Sequence, residues 1–186
     1  MFRTKRLAFA ATLVAAGIAS GTTAFAYDNH TPASKEARMV RQIRHELIMQ
    51  PFYGVFDDLS FRVEGNTVTL FGAVVRPSMK NSSEQVVKDV EGVDRVINQI
   101  EVLPTSPQDD RIRMAVFRAI YGHPAMTRYA IQAIPPVHII VKNGNVKLVG
   151  MVGTEQDRTI ANIQARAVPG TFQVDNQIQV EGSSKK

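Results

Sequence analysis

Apolar side chains recur at every second position in four short segments of the chain, a pattern typical of strands that bury one face. The segments are residues 59–63, 68–74, 137–141 and 146–152. They form two pairs, and a short polar turn separates the members of each pair. The pattern therefore predicts two β-hairpins in different parts of the chain.

The two predicted turns have related but reversed sequences. Asn143-Gly144 is a strong hairpin signal, because both residues tolerate positive φ. Gly65-Asn66 carries the swapped order, which predicts a turn of a different type.

A predicted helix precedes each hairpin, and another follows it. Thr154 with Asp157 three residues later resembles a capping box at the start of one of the following helices. Gly92 and Gly170 lie just past these helices, where a left-handed cap is common. The helices before the hairpins are indicated by apolar residues at helical spacing: Met39, Val40, Ile43 and Leu47, then Ile112, Val116, Ala119 and Ile120.

These elements recur because one motif is present twice, 78 residues apart. The register holds without a gap from residues 61–102 to residues 139–180, and 12 of the 42 paired positions are identical. Each copy ends in a further strand, so the order is helix, strand, strand, helix, strand. The predicted class is α+β: two tandem αββαβ modules, each a three-stranded mixed sheet with two helices packed on one face.

The predicted modules span residues 34–104 and 108–182, and residues 105–107 form a linker rich in proline and small polar residues. The second module has five extra residues between its first helix and its hairpin, within Ala125–Pro136. Glycines inside strands, at Gly72 and Gly150, predict a close approach by a helix or a bulge.

Residues 1–26 have the pattern of a secretory signal peptide. A basic start is followed by an apolar run and by Ala24-Phe25-Ala26, which predicts cleavage after Ala26. The alternative of a membrane anchor needs a run of about 20 apolar residues, and this run is shorter. We therefore expect an exported protein, located in the periplasm if the host is a Gram-negative bacterium, with no transmembrane span in the mature chain.

Removal of the signal peptide changes the charge of the chain. Of its 22 Lys and Arg, 19 remain after residue 26, against all 17 Asp and Glu. So small an excess argues against a nucleic-acid partner, which needs a clustered basic surface. The chain has no cysteine, which excludes disulfides, thiol chemistry and a lipid anchor on an N-terminal cysteine.

No catalytic or metal-binding constellation is evident in the sequence. The four histidines, His30, His45, His123 and His138, show no metal-ligand spacing, so no metal and no cofactor is expected. No nucleophile, base and orienting residue can be nominated together, so the protein is not expected to be an enzyme. The adjacent carboxylates Asp57-Asp58 and Asp109-Asp110 are expected to cap helices or face solvent.

The first helix of the second module contains the best candidate for binding. At helical spacing, Met114, Phe117 and Tyr121 form a second apolar stripe flanked by Arg113 and Arg118. Apolar residues edged by arginine suit a helix that touches anionic lipid headgroups. Alternatively, the stripe packs against the first module or against the Ala125–Pro136 segment.

Two further features bear on function. The equivalent helix of the first module is more polar and basic, so binding is expected in the second module and a structural role in the first. The repeated pairs Asn98-Gln99 and Asn176-Gln177 indicate either a ligand contact or side chains that satisfy backbone groups at a strand edge.

The valine–turn–V-x-L-x-G-x-V hairpin, the helix ending in V-x-G and the V-x-N-x-I-x-V strand resemble the BON domain. The resemblance covers both modules and implies a tandem two-BON protein associated with osmotic and envelope stress. It implies a non-enzymatic protein that binds phospholipid surfaces or envelope proteins. The alternatives are a chaperone or holdase for secreted or outer-membrane clients, and an adaptor within an envelope complex.

Overall fold

The structure is a computed structural model that describes residues 32–182, and the side chains from residue 35 onward. The predicted signal peptide, residues 1–26, lies outside the described residues. The elements in chain order are α1 (Pro32–Ile48), β1 (Asp58–Glu64), β2 (Thr67–Val74), α2 (Pro77–Lys88), β3 (Arg95–Asn98), β4 (Glu101–Val102), α3 (Pro107–Tyr121), α4 (Thr127–Ala130), β5 (Val137–Lys142), β6 (Asn145–Val152), α5 (Glu155–Arg166) and β7 (Gln173–Val180).

The predicted αββαβ order is confirmed in both modules. In the first, β1 pairs antiparallel with β2, and β2 pairs parallel with β3 and β4. In the second, β6 pairs antiparallel with β5 and parallel with β7. The last strand of the first module is interrupted at Gln99-Ile100, so it forms two short pieces where the second module has one strand. The short helix α4 adds to the predicted pattern and lies within the extra segment of the second module.

Each module buries one face of its sheet under its two long helices. The core of the first module joins α1, β2 and α2 through residues such as Ile43, Leu70 and Val87. The core of the second joins α3, β5, β6 and α5 through residues such as Ile112, Leu148 and Ala161. Burial of these aliphatic side chains is the main source of stability in modules of this size.

The two hairpin turns differ as predicted. Asn143 and Gly144 both have positive φ, at 51° and 74°, which defines a type I′ turn. In the first module Gly65 has a φ of 61°, and Asn66 does not have positive φ. Positive φ at the first central residue alone corresponds to type II′, so the order of Gly and Asn decides the turn type.

Glycine is required within the strands because the facing strand approaches too closely for a side chain. A Cβ on Gly150 would lie 1.8 Å from the carbonyl oxygen of Pro136, and one on Gly72 would lie 2.0 Å from that of Asp58. The close approach was correctly predicted, but the neighbour is the backbone of the adjacent strand and not a helix. Gly92 and Gly170, which follow the second helices, have positive φ as expected. They lie four residues past the last helical residue, so they do not cap these helices.

The repeated asparagines join the second helix of each module to its last strand. Asn98 Nδ2 donates to the carbonyl of Lys80 at 2.9 Å, and its Oδ1 accepts from the amide of Ile100 at 3.1 Å. Asn176 makes the same two bonds, to Arg158 at 3.2 Å and from Ile178 at 3.2 Å. The asparagine thus satisfies backbone groups at a strand edge, the structural alternative of the two.

Two side chains near the start of α3 form caps. Pro107 is the first residue of α3, and Ser106 caps this helix by accepting from the amide of Asp109 at 3.2 Å. Asp109 is buried, and its carboxylate accepts from the amides of Asn143 and Gly144, both at 2.9 Å. Asp109 therefore caps the β5–β6 turn, which corrects the expectation of a helix-capping or solvent-facing carboxylate.

Candidate binding surfaces

The predicted stripe on α3 does not form one exposed face. Arg113 is buried, forms an ion pair with Asp110 and donates from Nη2 to the carbonyl of Val141 at 2.7 Å. Tyr121 is also buried; its hydroxyl donates to the carbonyl of Val137 at 2.7 Å and accepts from the same residue's amide at 3.0 Å. Burial raises the pKa of the Tyr121 hydroxyl above its ordinary value. Both side chains hold β5 against α3, so neither is available at the surface.

Phe117 is half-buried between the two modules. Its ring lies 5.1 Å from that of Tyr121 and 6.1 Å, edge-on, from that of Phe56 in the first module. The alternative of packing against the first module is therefore correct for this residue. Of the five predicted residues, Met114 and Arg118 are the two that are exposed. Helical periodicity showed a second apolar face but could not show what covers it.

The extra segment of the second module braces the start of α5. Tyr129 donates from its hydroxyl to Asp157 Oδ2 at 3.0 Å and accepts from the amide of Gly153 at 2.8 Å. Arg128 forms an ion pair with the same carboxylate. The predicted cap is present, since Thr154 accepts from the amide of Asp157 at 3.1 Å. Burial alone would raise the pKa of Asp157, but hydrogen bonds from Thr154 and Tyr129 and the charge of Arg128 together lower it.

A loop of the first module, residues 53–57, covers the edge of the second sheet; we call it the docking loop. The carbonyl of Val55 accepts from the amide of Ile139 in β5 at 2.8 Å. Phe56 reaches α3, and the ring of Tyr53 lies 5.6 Å from that of His138. Burial, with the charges of Asp58 and Asp57, raises the pKa of Tyr53 to about 12. An exposed strand edge is prone to pair with other chains, and this loop closes the edge at its centre.

Asp57 fixes the end of the docking loop. Its carboxylate accepts from the amide of Val75 at 2.9 Å and from that of Gly54 at 3.2 Å. Burial raises its pKa, against the lowering effect of these two bonds and of His138 and Arg76 nearby. The residue is a buried brace for the loop, and the expectation of a helix cap or a solvent-facing group is wrong here as well.

The open faces of the two sheets also touch. Ala73 and Leu103 of the first module pack with Ile140 of the second in a small apolar cluster. Lys147 lies 3.1 Å from the carboxylate of Asp58, and Lys142 pairs with Glu101. Exposed pairs such as the second contribute little to stability but help to select one orientation of the modules.

An exposed apolar tip lies at the end of α1, in the first module. It consists of Ile48, Met49 and Phe52, whose side chains are 47%, 65% and 71% exposed. Phe52 has a φ of 74°, a conformation that is uncommon for a bulky residue. The guanidinium of Arg76 lies over its ring at 4.5 Å from the centroid. The tip is not apparent in the sequence, because its residues lie at the end of the amphipathic pattern of α1 and form no separate apolar stripe.

Two further arginines share a face of α1 with Ile48. Arg44 and Arg41 precede Ile48 by four and seven residues, the spacing that places side chains on one face of a helix. Both arginines are exposed. The first module therefore presents apolar side chains next to basic ones, an arrangement that the sequence had predicted for α3.

Within residues 32–182 no three His, Asp or Glu side chains lie together as metal ligands would. His138 lies in the module interface, and His45 is exposed on α1. Nor does any helix in this part of the chain have the length and apolar character needed to cross a bilayer.

Comparison with known proteins defines the class to which this fold belongs. The model of the BON domain matches residues 37–104 and again residues 108–182, the two modules seen in the structure. The chain belongs to the BON domain family and carries two such domains in tandem. BON domains are typical of envelope proteins.

Solved structures with some likeness include two of CdsD, a structural protein of the type III secretion system of Chlamydia trachomatis. One, of its C-terminal domain, has 14% identity and a TM-score of 0.27, and the match covers 76% of this chain and 96% of that one. The other has 15% identity and a TM-score of 0.28, with 77% and 92% covered. Likeness at this level carries no argument about this chain. No curated protein matches it significantly.

Proposed function

We propose that this protein is a non-enzymatic periplasmic protein that binds anionic phospholipid surfaces of the cell envelope under osmotic or envelope stress. The observation that supports the proposal is the apolar tip of Ile48, Met49 and Phe52 with Arg76 stacked on its aromatic ring. Two features seen in the sequence accord with it: a signal-peptide pattern and a family typical of envelope proteins.

The chemistry of the tip suits the boundary between headgroups and acyl chains. Met49 and Phe52 are exposed and can enter that boundary, while Arg76, Arg44 and Arg41 can meet phosphate groups. Partial burial of three apolar side chains with a few arginines near anionic lipid would yield on the order of 5 kcal/mol. That corresponds to reversible binding at a sub-millimolar level. The protein would therefore sample the membrane surface and not anchor in it.

The left-handed backbone at Phe52 supports a binding role for this residue. Such a conformation costs roughly 1–3 kcal/mol for a residue other than glycine, and conformations of this kind cluster at functional sites. Glycine, which has no Cβ, would avoid the cost. Exposed Phe52 buries little apolar area in the free protein to offset it.

Vesicle co-sedimentation tests the proposal. The double variant Met49→Ser/Phe52→Ser should lose most of its binding to vesicles that mix phosphatidylglycerol with phosphatidylcholine. The matched control is Phe172→Ser, which removes an aromatic ring that is 83% exposed but lies at the β5–β6 turn of the second module. The control should bind like the unaltered protein. Binding should also weaken as salt rises, because the arginine contribution is screened.

The same experiment tests a second variant, in the part of the predicted α3 stripe that is exposed. Met114→Ser/Arg118→Ser alters the two members that reach solvent on α3. If this variant loses binding while Met49→Ser/Phe52→Ser keeps it, the lipid surface lies on the second module. Equal pelleting with purely phosphatidylcholine vesicles, or none with any vesicle, would refute the phospholipid proposal.

A further inference from the structure

The contact between the modules has a counterpart in the first module that is left open. The repeat offset of 78 relates each strand residue of the second module to one in the first. Ile139, which donates to the docking loop, corresponds to Phe61 in β1. β1 is likewise an edge strand, but among residues 32–182 no backbone hydrogen bond reaches its outer side. One of two equivalent edges is covered, and the other is free.

The uncovered edge leaves apolar side chains partly in water. Val137, Ile139 and Val141 of β5 are completely buried. The matching row of β1, Leu59, Phe61 and Val63, is only half-buried. The difference does not come from smaller or more polar residues, since both rows are apolar. A segment placed along β1, as the docking loop is placed along β5, would remove this exposure.

The second module carries a segment equivalent to the docking loop, and that segment is free. The offset of 78 extends back from the strands to Asp58 and Pro136, whose carbonyls face Gly72 and Gly150 in the same way. Carried on to the preceding residues, with the five extra residues placed before Ile131, it relates Tyr53, Val55 and Phe56 to Ile131, Ala133 and Ile134. Ile131 is 87% exposed, and Ala133 is exposed as well. Ile131 and Ala133 are therefore accessible to a second copy of the chain.

We propose that the Ile131–Ile134 segment of one copy binds along the β1 edge of a second copy, and so repeats the contact that joins the two modules within one chain. The carbonyl of Ala133 would accept from the amide of Phe61, as Val55 accepts from Ile139. Ile131 would take the place of Tyr53 beside the strand. The contact would place a turn of one copy against the free sheet edge of another through one backbone hydrogen bond, as the docking loop does within the chain.

The side chains that would flank this contact are complementary. Within the chain, Ala73 and Leu103 of the first module pack with Ile140 of the second. By the repeat offset of 78, the corresponding residues in the proposed contact are Met151 and Glu181 of one copy and Arg62 of the other. Arg62 and Glu181 have opposite charges and both are exposed, and Met151 is 48% exposed. The apolar contact inside the chain would thus be replaced by an ion pair beside an exposed methionine.

The proposed contact is heterologous, because it joins two different surfaces of the same chain. Each copy would keep one free segment and one free edge, so association would continue into a ring or an open row. A small contact of this kind corresponds to affinity in the micromolar to millimolar range, roughly.

Sedimentation velocity of the purified protein, without lipid, tests the proposal. We expect the average mass to rise above that of the monomer as the concentration approaches about 0.5 mM, with no plateau at the mass of a dimer. Ile131→Asp removes the segment, and Arg62→Glu removes the complementary charge at the edge. Each variant alone should stay monomeric, while Ile163→Asp on α5, which also replaces an exposed isoleucine, should associate like the unaltered protein.

Mixing the two variants distinguishes this contact from other kinds of association. The Ile131→Asp copy keeps an intact β1 edge, and the Arg62→Glu copy keeps an intact segment. An equimolar mixture should therefore form a one-to-one dimer that grows no further. The double variant Arg62→Glu/Glu181→Arg should regain association. A monomeric unaltered protein at the highest concentration, or a mixture that stays monomeric, would overturn the proposal without bearing on lipid binding.

Discussion

The amide of Ile139 donates a 2.8 Å hydrogen bond to the carbonyl of Val55, and this bond joins the edge of one BON domain to a loop of the other. It links residues that the repeat itself does not relate. The two domains are thus connected at a strand edge, where an uncovered ladder would invite pairing with other chains. The side chains on either side of this bond make the contact specific.

Phe56 is the main side-chain anchor of this contact. Phe56→Ala should lower the free energy of unfolding by about 2 kcal/mol, because it removes a partly buried ring and its edge-on contact with Phe117. Amide exchange at Ile139 should accelerate in the same variant, as the docking loop leaves the strand. Phe172→Ala, at an exposed ring, should change stability by no more than about 0.5 kcal/mol. Unchanged exchange at Ile139 would mean that the loop stays bound without Phe56.

The repeated asparagines should contribute to the stability of both modules. Asn98→Ala and Asn176→Ala each leave a half-buried amide and a carbonyl without their partners, so each should cost about 1–3 kcal/mol in urea unfolding. The adjacent Gln99 and Gln177 are exposed, and their alanine variants should stay close to the unaltered protein. If glutamine and asparagine variants lose equal stability, the assignment of the structural role to asparagine is wrong.

Gly150 should tolerate no side chain. Gly150→Ala would place a Cβ 1.8 Å from the carbonyl oxygen of Pro136 in a backbone conformation with a φ of 137°. We expect a loss of about 3 kcal/mol or more, because the obstacle is backbone and cannot rotate away. Gly65→Ala is the matched control: φ is also positive there, but the space is open, so only about 1 kcal/mol should be lost. Similar losses at the two positions would show that conformation alone sets the cost.

Asp57 should make the stability depend on pH in an unusual direction. Burial raises its pKa in the folded protein above the ordinary value of 3.8, so the folded state keeps this proton where the unfolded chain has lost it. Its contribution to stability is therefore lost as pH rises through the folded pKa. The difference in free energy of unfolding between the unaltered protein and Asp57→Asn should decrease from about pH 4 upward. An increase over that range would contradict the raised pKa.

Replacement of Phe52 should lower vesicle binding without lowering the stability of the protein. Phe52→Gly removes the cost of the left-handed backbone, so the free energy of unfolding should stay unchanged or rise by up to about 1 kcal/mol. Vesicle binding should fall several-fold in the same variant. Phe172→Gly, which has no positive φ to relieve, should gain no stability. A Phe52→Gly protein that binds vesicles normally would separate the strained backbone from the proposed function.

Much of each module could be predicted because its determinants are local in the sequence. Asn143-Gly144 and Gly65-Asn66 specify different hairpin turns through the φ values that each residue accepts. Thr154 predicts the start of α5, since a cap depends on residues three positions apart. Gly150 signalled a close approach, although not that the neighbour is a strand.

The candidate site could not be predicted in this way. The apolar positions Phe117 and Tyr121 show that α3 has a second apolar face, and the same pattern arises whether lipid, protein or solvent lies opposite. Tyr121 is buried because its hydroxyl reaches the backbone of Val137, and Phe117 because Phe56 arrives from the other module. Neither partner is close in sequence, so no spacing rule connects them.

The sequence by itself determined that this protein consists of two αββαβ modules, because periodicity, turn residues and an internal repeat act over short separations along the chain. The tertiary structure decided which of the apolar surfaces remain exposed. That outcome depends on the contact between the docking loop and α3, which are about 60 residues apart in the chain. Several surfaces have the same apolar pattern in the sequence, and tertiary packing determines which of them is buried. The exposed apolar cluster therefore lies at the tip formed by Ile48, Met49 and Phe52 and not along α3, where the sequence predicted it. The β1 edge remains uncovered.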